Sequence, residues 1–257
     1  MLLLVTDTSG KQGSVALARA GESPDASKVE VIGVAPLTGG TFSAQLVPQI
    51  ASLLAQHGLN KNDISAFVVV SGPGSFTGLR VGLAAIKALA EILKKPIVPI
   101  SLLEVVAWHA IVVAGGSEGT AEPNPLPFAI ALDAGRAQAF VGEFQFVLPA
   151  GSRSGTVVGT RESLLTLPEL AELKCAASLL WVASPDAVIL DFLNANPQRC
   201  SAVYSVARPD CAAIAWLGWR KLQAGESVSP EQLEANYMRR SDAELFVKQN
   251  PGSVQGV

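Results

Sequence analysis

The sequence predicts an α/β protein of two duplicated lobes, and three observations carry that reading. Short apolar runs alternate with segments of helical spacing along most of the 257 residues. The run LLVTDTSGKQGSVALA near the start has an echo later, FAIALDAGRAQAFVGEF. In both, an apolar strand ends in an aspartate (Asp7 and Asp133), a turn of small residues follows, and a second strand begins. Between the two lies a stretch, residues 115–127, with three glycines and three prolines, which reads as a linker.

The elements follow in order. Residues 2–6 are a continuous apolar run, the mark of a strand buried on both faces. Residues 14–18 and 29–35 read as its antiparallel partners. Residues 43–57 carry Leu46, Val47, Ile50, Leu53 and Leu54 at helical spacing, and Gly58 closes that helix. Residues 66–70 form a buried strand, and a glycine-rich turn leads into a helix over about 79–93. A strand at 96–100 and a helix at 102–114 complete the first half.

The second half opens with strands at 128–132 and 137–144. Weaker signals place strands near 156–158 and 179–183 and a helix near 185–193. An amphipathic helix spans 210–222. The segments this suggests are a first lobe over 1–101, a second, degenerate lobe with a returning helix over 102–224, and a tail over 225–257 whose end is polar and expected to be disordered. The order β-β-β-α-β-α, twice over, fits the architecture shared by actin, the sugar kinases and the heat-shock chaperone ATPases.

Composition narrows function. Hydrophobic residues make up 49% of the chain, enough for a sizeable core. A net charge of −3 lacks the basic excess with which bare nucleic-acid binders hold phosphates, so work on a nucleic acid calls for a partner. Cys175, Cys200 and Cys211 are odd in number and form no CxxC pair, which suits a reducing cytoplasm. The most membrane-like stretch, residues 102–114, is interrupted by Glu104 and His109 and is too short to span a bilayer.

The most distinctive segment is VVVSGPGSFTGLRVGLAAIKALA, residues 68–90. A strand enters a loop bearing Gly72, Gly74, Ser75, Thr77 and Gly78, and a helix begins. Backbone amides at such a start can bind an anion. However, the glycine spacing is one residue too long for the dinucleotide fingerprint, and Leu79 and Arg80 follow Gly78 where a phosphate loop needs Lys and Ser or Thr. The competing reading is a tight strand-to-helix turn with Thr77 as N-cap. Gly74 and Thr77 are therefore weak nucleotide-contact candidates. Asp7 is a third, as the remnant of a phosphate-site carboxylate, set against a role in holding its own turn around residues 8–10.

The two histidines, His57 and His109, stand far from the i, i+4 spacing of a helical metal pair, so no metal ligands are assigned. His57 reads as a solvated helix-end residue and His109 as a packed core residue. Neither is placed to activate Ser75 or Thr77, which makes a hydrolase a poor reading. The isolated chain is expected to hold no zinc or iron and to lack peptidase activity. On the helix after the glycine turn, Gly78, Gly82 and Ala85 would let another helix come close, and Arg80 could make a polar contact across an interface. On the preceding helix, Val47, Ala51 and Leu54 widen the apolar stripe beyond one face. These seven residues are the candidate partner surface.

The segment SGPGSFTGLRVGLAAIKALA closely resembles the signature of the TsaB family, the bacterial proteins of threonylcarbamoyladenosine biosynthesis. VTDTSGKQGSVAL, PIVPISLLEVVA, LDAGRAQAFVGEF and NYMRRSDAE resemble further blocks of that family, in the same order and over about half of the chain. The resemblance implies an actin-like fold and a non-catalytic subunit that pairs, through helices of its first lobe, with a homologous catalytic paralogue, TsaD. A small ATPase, TsaE, joins them, and the assembly modifies an adenosine beside the tRNA anticodon. On this view tRNA is reached only through the complex, ATP or ADP is bound there and not by the chain alone, and the chain forms a homodimer by itself. A free-standing kinase or ATPase of the same superfamily is the competing function, disfavoured because the second half lacks a glycine-rich phosphate loop.

Overall fold

A computed structural model describes residues 1–21, 29–113, 126–147, 155–176, 181–196 and 202–239. The sequence linker over 115–127 and the far end of the tail lie almost wholly outside them.

Two five-stranded sheets form the frame. The first contains β1 (Leu2–Asp7), β2 (Gln12–Ala20), β3 (Val29–Thr38), β4 (Ala66–Gly72) and β5 (Ile97–Ser101), in the order β3-β2-β1-β4-β5. The second contains β6 (Leu126–Gly135), β7 (Gln138–Val147), β8 (Thr156–Thr166), β9 (Trp181–Ser184) and β10 (Ala202–Ser205), in the order β8-β7-β6-β9-β10. The senses match as well as the order. In each sheet the first three strands are antiparallel and the last two run parallel to the first.

The helices repeat in the same places. In the first half α1 (Phe42–Gln56), α2 (Phe76–Leu93) and α3 (Leu102–Val113) follow β3, β4 and β5. In the second half α4 (Leu167–Ala176), α5 (Ala187–Ala195) and α6 (Cys211–Gln223) follow β8, β9 and β10. This is the two-lobed α/β actin-like fold that the duplicated pattern predicts.

The two opening aspartates occupy equivalent places. Asp7 closes β1, and its Oδ1 accepts the backbone N–H of Ser9 at 2.8 Å. Asp133 lies near the end of β6, and its Oδ1 accepts the backbone N–H of Gly135, also at 2.8 Å. The same two-residue reach organises both turns.

Successive residues of a strand point to opposite faces, and the central strands are apolar on both. Leu3 and Val5 of β1 and Val68 and Val70 of β4 face the second lobe. Leu4, Phe67 and Val69 face α1 and α2 on the outer side. The inner faces of both sheets share one core, closed by Phe128, Ile130 and Phe144 from the second sheet. Phe128 stacks between Phe144 and Trp181 at centroid separations of 5.7 and 4.3 Å. A third cluster, with Leu170, Ile189 and Leu193, covers the outer face of the second sheet beneath α4 and α5.

The third helix of each half crosses to the other half's sheet. Helix α3 lies chiefly on β6, β7 and β8, whereas α6 lies across all five strands of the first sheet. Gly218 permits the close approach of α6 to β4, since a Cβ there would stand 2.4 Å from a methyl of Val68.

The structure departs from the sequence reading mainly in the second half. Strand β8 runs to Thr166, far beyond residue 158, because it is an edge strand with one fully buried residue, Val157, and hence little apolar signal. Helix α4 and the four-residue edge strand β10 carry no clear periodicity. Helix α2 starts at Phe76 and is capped by Ser75, whose Oγ accepts the N–H of Gly78 at 3.3 Å, so Thr77 is not the cap. His109 is half-buried and not a core residue.

Where α3 and α6 meet, Lys221 bridges Glu104 at 3.0 Å and Glu226 at 3.2 Å. Nearby, the Arg220 guanidinium lies 4.3 Å from the ring of Trp108 and 4.9 Å from that of Trp216. Burial pushes the Glu104 carboxyl above the ordinary value of 4.5, with Glu226 and Glu162 adding to the rise, against the opposing pull of Lys221. Burial pulls Lys221 down, but its two carboxylates outweigh that, and the net shift is upward. A carboxyl raised in the folded state favours folding when protonated, and that contribution fades as pH rises through its folded pKa. The stability of the natural chain relative to Glu104→Gln is therefore expected to improve as pH falls from neutrality toward 4.5. Urea midpoints of the two proteins at both ends of that window check this, and a constant difference would contradict it.

Candidate functional site

The lobes enclose a cleft of about 900 Å³. The β1–β2 turn, residues 9–12, and the loop 73–77 form one wall. Asp133, Ala134 and Arg136 of the β6–β7 turn form the opposite wall, together with Asp186 and Arg208. The C-terminal segment, residues 236–239, closes a third side.

Local chemistry builds each wall. The β1–β2 turn is held by Asp7, whose Oδ1 accepts the N–H and the hydroxyl of Ser9, the latter at 2.6 Å. The loop after β4 is stitched to that turn, with Ser75 N–H donating to the carbonyl of Ser9 at 2.7 Å. Gly74 is required there, because a Cβ would lie 2.3 Å from the Ser9 carbonyl oxygen. Two amides that an anion would seek at the start of α2, those of Ser75 and Gly78, are thus engaged within the chain.

In the second lobe, Arg208 pairs with Asp186 Oδ1 at 2.5 Å while Asp186 Oδ2 accepts the N–H of Asp133 at 2.8 Å. Arg239 donates to Gly135 O at 3.3 Å and also to Gln138 Oε1. The sequence reading missed Asp186, Arg208, Asn236 and Arg239 as cleft residues. Only the last two carried a signal, in the block NYMRR.

Of the nucleotide-contact candidates, Gly74 and Thr77 line the cleft. Asp7 sits behind its wall, committed to Ser9. Among the described residues, no group of three or more His, Cys, Asp or Glu side chains is arranged to hold a metal. None of the described helices is long and apolar enough to cross a membrane.

The outer face of α1 and α2 is the second candidate region. Val47 is 51% exposed, Ala51 is exposed, Ala85 is half-buried, and Ile92 at the far end of α2 is 68% exposed. Three of the seven predicted partner residues turn inward. Leu54 is buried in the core beneath α1. Gly78 and Gly82 face the β1–β2 turn, where a Cβ would meet Thr8 O at 2.1 Å and Thr8 Oγ1 at 2.2 Å, respectively. These three are corrected to internal packing residues. Arg80 is exposed, but its Nε donates to the hydroxyl of Tyr237 at 3.2 Å, a contact within the chain.

Comparison with known proteins then decides the family. A family model described as TsaD, tRNA N6-adenosine threonylcarbamoyltransferase, matches residues 17–174, more than half of the chain. Two curated relatives bear the name tRNA threonylcarbamoyladenosine biosynthesis protein TsaB. The one from Haemophilus influenzae is 36% identical over 110 residues, 43% of each chain. The one from Bacillus subtilis is 32% identical over 146 residues, 57% of this chain and 56% of that protein. The chain belongs to the TsaD family, among its TsaB members.

The chain spans about half the length of the curated TsaB proteins it matches. The fold extends further than that likeness. A Pseudomonas aeruginosa structure, described as a protein with similarity to the peptidase YeaZ, superposes with a TM-score of 0.66. It is 24% identical and covers 93% of this chain and 99% of that one. The TsaB signature block, residues 71–90, comprises the loop and helix that the structure packs against the β1–β2 turn.

Proposed function

We propose that this TsaB-family chain serves threonylcarbamoyladenosine formation in tRNA as a non-catalytic pairing subunit that docks and activates a TsaD-like catalytic paralogue. The observation that carries the pairing is the outer face of α1 and α2, where Val47, Ala51 and Ile92 stay exposed in the folded chain. Apolar side chains gathered on one face mark partner surfaces. Two supports speak for the non-catalytic part: loop amides at the start of α2 are already engaged, and the Asp7 carboxylate is committed to its own turn. In this reading a TsaE-like ATPase joins the pair, ATP or ADP is bound only in the assembly, and tRNA is met through it in the cytoplasm. The same face closes on a second copy when the paralogue is absent.

The test is co-purification with the TsaD-like paralogue. Ala51→Glu places a charge on the exposed side of α1, where the folded monomer has room for it. Pairing is expected to weaken by about tenfold or more, while the unfolding midpoint of the chain alone stays unchanged. Undiminished pairing would move the interface elsewhere. Steady ATP hydrolysis by the purified chain alone would favour the free-standing ATPase instead.

A further inference from the structure

The chain after α6 does not simply trail away. Val228 pairs with Ile97 at the open edge of β5, its N–H donating at 2.8 Å and its carbonyl accepting at 3.2 Å. Leu233 is 1% exposed in the core beneath α1 and α2. The segment then passes the end of β4, where Asn236 N–H donates to Ser71 O at 2.8 Å. Over the next residues it touches three separate parts of the molecule. The Tyr237 ring packs on Phe76 at 4.8 Å, and its hydroxyl accepts from Arg80, whose guanidinium also covers the Phe76 ring at 3.8 Å. Asn236 Nδ2 donates to Glu162 of β8, whose other oxygen accepts from Ser101 Oγ at 2.6 Å. Arg239 donates to Gly135 and Gln138 of the β6–β7 turn.

We infer that residues 236–239 are an inter-lobe clasp, and that Arg80 on the exposed side of α2 sets whether it is closed. Asn236 and Arg239 grip the second lobe from a segment anchored on the first, across the mouth of the cleft they line. Tyr237 stands between them, with its ring packed on Phe76 and its hydroxyl held by Arg80, both of α2. Among the described residues, the hydrogen bond and ring contacts of Arg80 are with Tyr237 and Phe76. A change in its rotamer would release Tyr237, and with it the register that brings Arg239 to Gly135. Covering of the α2 face and opening of the cleft are then two readings of one equilibrium, coupled in both directions. This holds for the chain alone and does not depend on which partner covers α2.

Hydrogen exchange on the full chain tests it. Arg239→Ala is expected to speed exchange of the amides at Gly135–Gln138 by about three- to tenfold, the range that follows from one lost net hydrogen bond. Arg80→Ala is expected to do the same at those second-lobe amides, while amides of β1 and β4 keep their protection. If Arg80→Ala leaves Gly135–Gln138 unchanged, Arg80 does not govern the clasp and the inference fails. Should Arg80→Ala loosen the whole chain, Tyr237→Phe decides, since it removes only the acceptor for Arg80. Faster exchange confined to the β6–β7 turn in that variant supports the clasp, and an unchanged turn overturns it.

Discussion

Gly78→Ala is expected to destabilise the chain by about 2–3 kcal/mol, although alanine is the better helix former by about 1 kcal/mol. Gly74, Gly78 and Gly82 lie four residues apart on one face of the α2 region, and that face rests on the β1–β2 turn. A Cβ on Gly78 would stand 2.1 Å from the carbonyl oxygen of Thr8 and 3.2 Å from the Phe42 ring. The carbonyl has nowhere to retreat. Thr8 is 1% exposed, and the residue before it is held by the Asp7–Ser9 contacts. The helix must therefore lift, which strains its contacts with β4 and α1. At Gly82 the atom in the way is the Thr8 hydroxyl, which can rotate, so Gly82→Ala is expected to cost less than Gly78→Ala. Urea unfolding of both variants, with exposed Ala84→Gly as a reference for helix propensity, gives the order. Gly78→Ala as stable as the natural chain would mean that the turn and helix are not in this contact.

The same pair of glycines shows how far the sequence was legible. Their small size on a helix announces a close approach, but not by what. The sequence reading assigned the space to another subunit's helix, and the structure fills it with the chain's own turn, made from residues far away in sequence. The first half was otherwise readable because its central strands are buried on both faces and α1 and α2 have one strong apolar side. The second half was harder. Strands β8 and β10 sit at sheet edges with polar faces, and among the described side chains of α4 only Leu167, Leu170 and Ala171 are buried. The cleft was the least legible part. Asp186 meets Arg208 across 22 positions, and Arg239 meets Gln138 across 101, so no local pattern announces either. Asp7 and Asp133 were visible because their role is local, a carboxylate reaching two residues ahead.

Residues 1–101, the span the sequence suggests as a first lobe, are expected not to fold when produced alone. A lobe of this architecture needs a cover on each face of its sheet. Helices α1 and α2 supply the outer one from within the fragment. The inner face, with Leu3, Val5, Val68 and Val70, is covered by α6, which arrives from residues 211–223. Ile214, Leu217 and Trp219 of that helix are 1%, 3% and 4% exposed. Burying three side chains of this size contributes roughly 5–9 kcal/mol, at about 1.5–3 kcal/mol each. The whole stability of a domain is about 5–15 kcal/mol, so losing this cover removes a share that the fragment cannot replace. Helix α3 makes the reciprocal crossing onto the second sheet, so that half is equally incomplete without the first. The full chain should accordingly unfold in one transition, whereas the fragment should show poorly dispersed amide resonances and bind a hydrophobic dye. A fragment 1–101 with dispersed resonances and a cooperative melt would mean that the inner face can close without α6, and the two lobes would then be separable units.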